Sequence, residues 1–589
     1  MTTLGKHRWT VATLAIVLVG LSFRINGYPL LEPDEGRNAE IAREMAVSNN
    51  YLIPRLNGLP YADKPVLYFA VDAISIKILG ASELAARLPS LLFTLATLIL
   101  VWWFGTKTLG AIGGVVAAAA TGAAPLTLAF ARTVIFDSAL TFFVALSIFG
   151  FYLAAEVPRS ERESAKKDRA AWMTVLGWVG LALAVLTKGP IGLALPLMVM
   201  LPYLAWRKRV DALWDPVAVL VFIAIVLPWI FVMSREVPDF LEYALVTETF
   251  KRLTTDELHR TGPLWYFVPI ILAASLPWSV VALSGWKHGR PRRDVSGSWD
   301  RRVVLLLLWI VVPFVFFSLS QSKRPHYVLP LIPPIGLLVG LLWREGQGQG
   351  QGQGQGRGRG RPHGARGGGV ALIACGVMVF VAPTIVGALL DVNTAVGAAI
   401  PGTARALGAV CWLSGAAGLV FSHRRDIALF ALSVPVAAIP FVSVKLMNAI
   451  GSDRSARDLA AAVEQVMTER TEIVAIQTYP LSLPFYLGRD FRIATADGSE
   501  LTSNYITRSY ARLLGVPGSP LRPADWWLDA LADCRPPRVF VVRVDNATAR
   551  SLLEARLPLI ASNRKVAAYG PCGGTDLAAN PLGRTPGIR

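Results

Sequence analysis

A succession of apolar runs, each close to twenty residues long, constrains this chain more than any other feature. A run of about 20 apolar residues is what an α-helix needs to span a bilayer. Such runs fall near 9–23, 84–106, 110–126, 134–155, 172–187, 190–206, 213–233, 263–285, 302–320, 326–343, 368–390, 402–421 and 427–448. The expectation is a polytopic α-helical membrane protein with about thirteen transmembrane helices. Composition agrees: 53% of the 589 residues are hydrophobic and 17% charged, with mean hydropathy +0.47, too apolar for a soluble enzyme. The first run lacks a small-residue cleavage signal before Arg24 and reads as a retained anchor.

Lys and Arg accumulate on the cytoplasmic side of membrane proteins. With the N-terminus inside, the inward loops hold Lys107, the cluster 158–169, Arg207 to Arg209, the cluster from Lys287 to Arg302, the arginines of 344–366, and Arg424 with Arg425. Short outward connectors hold only Arg132, Lys188, Lys323 and Arg324. The insert 27–80, the segment 234–262 and the region after 448 then face outward. The net charge of +18 is thus a topology signal, and scattering of the basic residues between spans argues against nucleic-acid binding.

Three polar regions interrupt the pattern. Residues 345–369, EGQGQGQGQGQGRGRGRPHGARGGG, are low in complexity and read as a flexible cytoplasmic linker. From 449 to 589, short β-branched runs such as EIVAIQT and RVFVVRV alternate with helix-like stretches, which indicates a small outward α/β domain beside a transmembrane domain of 1–448. Cys534 and Cys572 lie in that region; a disulfide and two free thiols are both open there. The insert 27–80 is too large and too polar for a plain connector. Within it, Ala39, Ala42, Met45 and Ala46 fall on one helix side and Arg37, Glu40 and Glu44 on another, as for an interfacial helix. Residues 65–79 read as a second interfacial helix.

Acids near a membrane boundary cost desolvation energy and are functional candidates. Asp34 follows the first span and Asp137 opens the fourth, both at the outer face. The plain alternative for each is an N-cap. Lys64 lies between Asp63 and Pro65, where it can meet phosphate as a point charge or merely snorkel. The same two readings apply to Lys188, Lys323 and Arg324, while Tyr327 is a belt residue or a phosphate hydrogen bonder. Arg252 and Arg260 lie in the outward segment with His259. No His pair at helical spacing occurs, so no required metal is expected. Neither a Walker motif nor a G-x-S-x-G elbow is present, which argues against an ATP-driven pump and a serine hydrolase.

In this order, DEGRNAEIAREM, PRLNGLPYADKPVLYF, ELAARLPS, the Asp137 motif, LTKGPIG and SKRPHYVLP resemble the bacterial lipid A aminoarabinosyltransferase family. That family belongs to the glycosyltransferase-C superfamily, which also holds protein O-mannosyltransferases. The resemblance covers about residues 1–345 and extends loosely through LPFYLGR. It implies an outward active site that moves a sugar, with inversion, from undecaprenyl phosphate to lipid A or a related glycolipid. Asp34 and Asp137 match the family's two acids, Lys64 the lysine of its E-K-P motif, and Tyr327 its tyrosine before the tenth span. Here Asp63 stands in place of the motif's Glu. Either Arg252 or Arg260 fits the expected donor-phosphate arginine.

The expectation is therefore a monomeric enzyme of the bacterial inner membrane, without a cofactor, in which Asp34, Lys64 and Asp137 share one outer pocket. Fixed cations such as Lys64 and an arginine would stabilise the departing phosphate. Two other readings stay open: the same chemistry with another sugar or a protein acceptor, and a lipid-linked-sugar flippase. A flippase should carry charges at mid-bilayer depth and repeated halves, and neither is visible.

Overall fold

The computed structural model describes residues 3–158, 166–246, 262–288, 299–345, 363–386 and 394–573. Among them, nine helices are long and apolar enough to cross a membrane, or up to eleven if each of two bent pairs is one span. Ala111–Gly122 with Pro125–Ala131 bends by 65°, and Leu264–Ala274 with Trp278–Lys287 by 98°. Two further apolar helices, Arg8–Ser22 and Pro190–Trp206, are shorter. As far as the described residues reach, each of the thirteen apolar runs thus becomes helix, but four of them are bent or short. Proline is the physical reason at the first bend: Pro125 opens a new helix because it can donate no hydrogen bond to the one before it.

The chain forms two compact units. The first comprises Met1–Tyr28, Asn50–Ile53 and Lys64–Ile450. Two of its spans are mostly buried inside the protein, Pro325–Trp343 at 89% and Asp137–Glu156 at 83%. Asp137–Glu156 crosses Lys166–Lys188 at very short range. A Cβ on Gly150 would lie 2.6 Å from the backbone nitrogen of Gly177, so glycine is what allows the approach. The start of Asp137–Glu156 is fixed by another neighbour, Leu67–Leu79. There Tyr68 and Phe69 set their rings edge-on to Phe136, at 5.8 and 5.9 Å, and the Tyr68 hydroxyl bonds Ser90 Oγ at 2.7 Å. Buried arginine satisfies carbonyls at the end of the first helix: Arg132 donates to Leu21 and Arg24 at 3.1 and 3.2 Å.

Leu67–Leu79 also carries Asp72, fully buried and with neither carboxylate oxygen hydrogen-bonded among the described residues. Burial pushes its carboxyl well above the usual range.

The second unit comprises Pro29–Asn49, Pro54–Asp63 and Gly451–Arg589. Its six-stranded sheet runs in the order Leu521–Arg522, Arg492–Ala494, Glu472–Ile476, Arg538–Arg543, Val566–Cys572, Leu559–Ser562. The first four are mutually parallel and the last two antiparallel additions. Strand burial is near complete along Glu472–Ile476 and Arg538–Arg543, which accounts for their unbroken β-branched runs. Cys534 and Cys572 form a disulfide, with Cα atoms 5.6 Å apart.

The helix Asp34–Ser48 belongs to this unit rather than lying as an amphipathic element with one polar face in water. Asn38, Glu40 and Arg43 are buried along with its apolar residues. Glu40 and Arg43 answer each other inside the protein. Just before the helix, Ser482 donates through both its backbone N–H and its hydroxyl to Glu32, at 3.0 and 2.7 Å.

Candidate active site

Lys188 ends the helix Lys166–Lys188, where a cation complements the helix dipole. Gly189 follows with φ +72° and Pro190 opens the next helix. Sequence dictates this turn: glycine supplies the backbone conformation that side chains resist, and proline fits a first helical position. The turn delivers the Lys188 ammonium to Asp137, the first residue of Asp137–Glu156. Lys188 Nζ lies 2.5 Å from Asp137 Oδ1. Asp137 does not cap its own helix, since Phe136 occupies the cap position and makes no side-chain cap bond. The capping reading of Asp137 is thereby overturned.

Asp137 is fully buried, and its second oxygen, Oδ2, has no hydrogen-bond partner among the described residues. Nearest to it in charge terms is His326, whose Nε2 is 4.0 Å away. A buried carboxylate oxygen left unanswered is costly and marks a place where a donor from a ligand can enter. Tyr327 sits beside this group. Lys188 Nζ lies 5.2 Å from its ring centroid, and the rings of His326 and Phe317 lie 5.1 and 5.4 Å from it. The arrangement gathers a carboxylate, an ammonium, an imidazole and a phenol from three separate stretches of the chain.

Lys64 is half-buried in the first unit. Its neighbour Pro65 lies against the turn after Lys188: a Cβ on Gly189 would stand 3.8 Å from Pro65 Cγ. Two lysine-bearing turns, Asp63-Lys64-Pro65 and Lys188-Gly189-Pro190, are thus neighbours. Lys323 is buried and donates from Nζ to the Ser320 carbonyl at 2.6 Å; burial lowers its pKa. A Cβ on Gly262 would lie 3.2 Å from Lys323 Cδ, so the end of the segment bearing Arg252 and Arg260 is close to Lys323. Arg252 and Arg260 themselves lie outside the described residues, as do His259 and most of the linker 345–369.

Asp34 and Asp63 fall in the second unit. Pro33 takes the cap position of Asp34–Ser48, and Glu35 reaches back to accept the Leu31 N–H at 2.9 Å. Asp34 is engaged by Arg37, with Nη2 2.6 Å from Oδ1. That guanidinium also donates to Thr502 Oγ1 at 3.0 Å and lies 5.9 Å from the centroid of the Tyr61 ring. Although burial opposes its charge, Tyr61, Asp34 and Asp63 together hold the Arg37 pKa above its ordinary value. Asp63 accepts the backbone N–H of Asn504 at 3.1 Å and of Tyr505 at 3.0 Å, at the start of the helix Asn504–Arg508. Both its oxygens therefore serve a helix N-terminus.

Sequence reasoning raised Lys188 only as one of several outward cations and did not single out His326. The available signals were the motifs TKGP and SKRPHY, each of which places a basic residue beside a proline-set turn. Among the described residues, one group of three carboxylates is tight enough to share a cation, namely Glu40, Glu44 and Asp490 in the second unit.

Residues 9–244 match the model of the dolichyl-phosphate-mannose-protein mannosyltransferase family. The chain is 29% identical over 343 residues to the undecaprenyl phosphate-alpha-4-amino-4-deoxy-L-arabinose arabinosyl transferase of Serratia proteamaculans, covering 57% of this chain and 59% of that one. To the second such transferase of Pseudomonas fluorescens it is 31% identical over 363 residues, with 58% and 57% covered. The matches thus span a little over half the length of these relatives. The crystal structure of ArnT from Cupriavidus metallidurans bound to undecaprenyl phosphate superposes with a TM-score of 0.79 at 23% identity, covering 97% of this chain and 99% of that one. This last likeness establishes the fold.

Proposed function

We propose that this chain belongs to the aminoarabinosyltransferase-like family of the glycosyltransferase-C superfamily and is an inverting polyprenyl-phosphate-sugar glycosyltransferase. Its donor is a sugar carried on undecaprenyl phosphate, and its acceptor is lipid A or a related envelope glycolipid. It works as a monomer in the bacterial inner membrane, with its N-terminus cytoplasmic and the region after 448 periplasmic. The observation that carries this reading is the buried Asp137 carboxylate, held by Lys188 through one oxygen and left open at the other.

In the reaction, an acceptor oxygen attacks the anomeric carbon from the face opposite the phosphate. The carbon–oxygen bond to the phosphate breaks, and its electron pair leaves with the polyprenyl phosphate. Asp137 Oδ2 receives a hydrogen bond or a proton from the incoming hydroxyl group, or orients it if the acceptor is already anionic. Lys188 keeps Asp137 aimed by binding its other oxygen. Negative charge grows on the departing phosphate, and cations fixed in advance stabilise it best. Lys64, Lys323 and one of Arg252 and Arg260 are assigned that task, with Tyr327 as a hydrogen-bond donor. Asp34 is assigned to the acceptor. Asp63 acts one step removed, anchoring the backbone that leads into Lys64. No nucleotide is needed, because the sugar-phosphate bond supplies the driving force.

One observation favours a second reading. The family model matched by residues 9–244 is named for protein mannosylation, so a protein acceptor with the same donor chemistry is the main rival. Mass spectrometry of envelope lipids from cells with and without the gene separates the two. A sugar-bearing lipid A species should appear with the wild-type gene and vanish with Asp137→Asn. Unchanged lipids together with newly glycosylated protein would replace the first reading with the second. A normal lipid product from Asp137→Asn would remove Asp137 from the chemistry.

A further inference from the structure

The helix Asp34–Ser48 sets Glu40 and Glu44 one turn apart, so both carboxylates project from the same side. Glu40 is fully buried. Arg43 forks onto it, with Nε and Nη2 each 2.7 Å from a carboxylate oxygen. Glu44 accepts the backbone N–H of Asn57 and, at 2.9 Å, that of Gly58. The third acid, Asp490, is exposed and lies 3.9 Å from Arg43 Nη2. Asn57 holds the Asp490 segment in place: its side chain exchanges two hydrogen bonds with the backbone of Phe491, at 2.7 and 2.9 Å.

Each of the three acids offers a carboxylate oxygen, and these oxygens lie within 4.8 Å of one another. Arg43 is the one cation paired with them among the described residues, so three acids share a single positive partner. Hydrogen bonds already made do not exhaust the carboxylates, because each oxygen carries a second lone pair.

An independent observation points to a missing occupant. Tyr479 is only 5% exposed, and its hydroxyl has no hydrogen-bond partner among the described residues. Its ring packs edge-on to Phe491 at 5.7 Å, and the hydroxyl is within electrostatic reach of Glu40, Glu44, Asp490 and Arg43. A buried phenol that bonds none of three nearby carboxylates is anomalous. It is explained if a hydrated ion belongs between them, with an ion-bound water receiving or giving the missing bond.

We propose that Glu40, Glu44 and Asp490 hold a hard divalent cation of the calcium type, with Tyr479 bonding a water in its shell. The donor set contains only oxygen, without His or Cys, which selects Ca²⁺ or Mg²⁺ over softer metals. Calcium is preferred because an irregular set of three carboxylates completed by water suits its flexible shell, whereas magnesium demands a near-ideal octahedron. The exposed Asp490 gives the ion its entry from solvent. The bound ion fastens the helix Asp34–Ser48 to the turn Gly488–Phe491 inside the second unit. This site is distinct from Asp137 and does not depend on the transferase reading.

The test uses the full-length protein in detergent, stripped with EDTA and titrated with Ca²⁺ alone, then Mg²⁺ or Zn²⁺ alone. Calorimetry should show one Ca²⁺ site, and thermal unfolding should move up by several degrees on saturation. Asp490→Asn, a change at an exposed position, should weaken Ca²⁺ at least tenfold while the EDTA-treated protein unfolds as the wild type does. Glu44→Gln combined with Asp490→Asn should abolish both the heat and the shift. Equal Ca²⁺ affinity in wild type and the double variant would overturn the proposal. So would the absence of any Ca²⁺ or Mg²⁺ binding, since Arg43 alone would then suffice. Zinc binding tighter than calcium would overturn the assignment of the ion.

Discussion

Lys188 Nζ and Asp137 Oδ1 stand 2.5 Å apart although 51 positions separate the two residues, and Asp137 is fully buried. In a low-dielectric setting each charge depends on the other. Removing one partner of a buried ion pair costs about 3–5 kcal/mol, because the survivor is left uncompensated. Lys188→Met should therefore lower thermal stability in detergent strongly, and adding Asp137→Asn should restore much of the loss. In turnover the two single variants should part: Asp137→Asn should cost on the order of 10²–10⁴-fold in kcat, the range for a positioned acid or base. Full activity in purified Asp137→Asn protein would detach this pair from the reaction.

Asp63 and Lys64 are adjacent in sequence, yet opposite kinds of result are expected from them. Asp63 accepts the first two N–H groups of Asn504–Arg508, beside the Ser503 cap, so Asp63→Ala should destabilise by about 1–3 kcal/mol, the cost of leaving buried donors unanswered. Its donor KM should stay near the wild-type value. Lys64→Ala should leave the unfolding temperature alone and raise the donor KM at least tenfold. A raised KM without thermal loss in Asp63→Ala would place that carboxylate on the substrate instead.

Glu32 gives the second unit one source of pH dependence. Burial raises its carboxyl pKa from 4.5, and the hydrogen bonds from Ser482 only partly offset this. Folding thus favours the protonated form. Its contribution is fully present below pH 4.5 and is lost as pH rises through the elevated folded value. Gln can accept the same two Ser482 bonds without a charge. Thermal unfolding of Glu32→Gln should fall less steeply with rising pH than that of the wild type. Parallel pH profiles would show that Glu32 is not the group responsible.

What could be read from the sequence follows how local each feature is. A spanning helix is specified by its own residues, so the apolar runs were all visible; the bend before Pro125 was not weighed against span length. Asp137 was legible as an acid at a helix end, but Lys188 as its partner was not. That pairing depends on the close crossing at Gly150 and Gly177, a matter of packing between helices. Least visible was the make-up of the second unit. Residues 29–49 and 54–63 join residues after 450, across the whole apolar part of the chain. The helix Asp34–Ser48 looked interfacial because its charges were counted as solvated. Burial of Glu40 with Arg43 shows that tertiary pairing overrode that pattern.

Gly189 offers a test of whether the Lys188 turn is tuned for chemistry. Its backbone, φ +72° and ψ −147°, lies in a region open essentially to glycine alone. An added methyl would meet Pro65 Cγ at 3.8 Å, an ordinary contact, so Gly189→Ala acts through the backbone rather than by collision. The strain of about 1–3 kcal/mol is relieved most easily by rotating the adjoining peptide, which carries Lys188 away from Asp137. Gly110, with φ +83° and ψ 168°, is a control of similar strain at the end of Glu83–Leu109. Both alanine variants should lose comparable stability. Only Gly189→Ala should also lose activity per folded molecule, by tenfold or more. Equal specific activity in the two would mean that the turn tolerates displacement of Lys188, and that the ion pair serves folding alone.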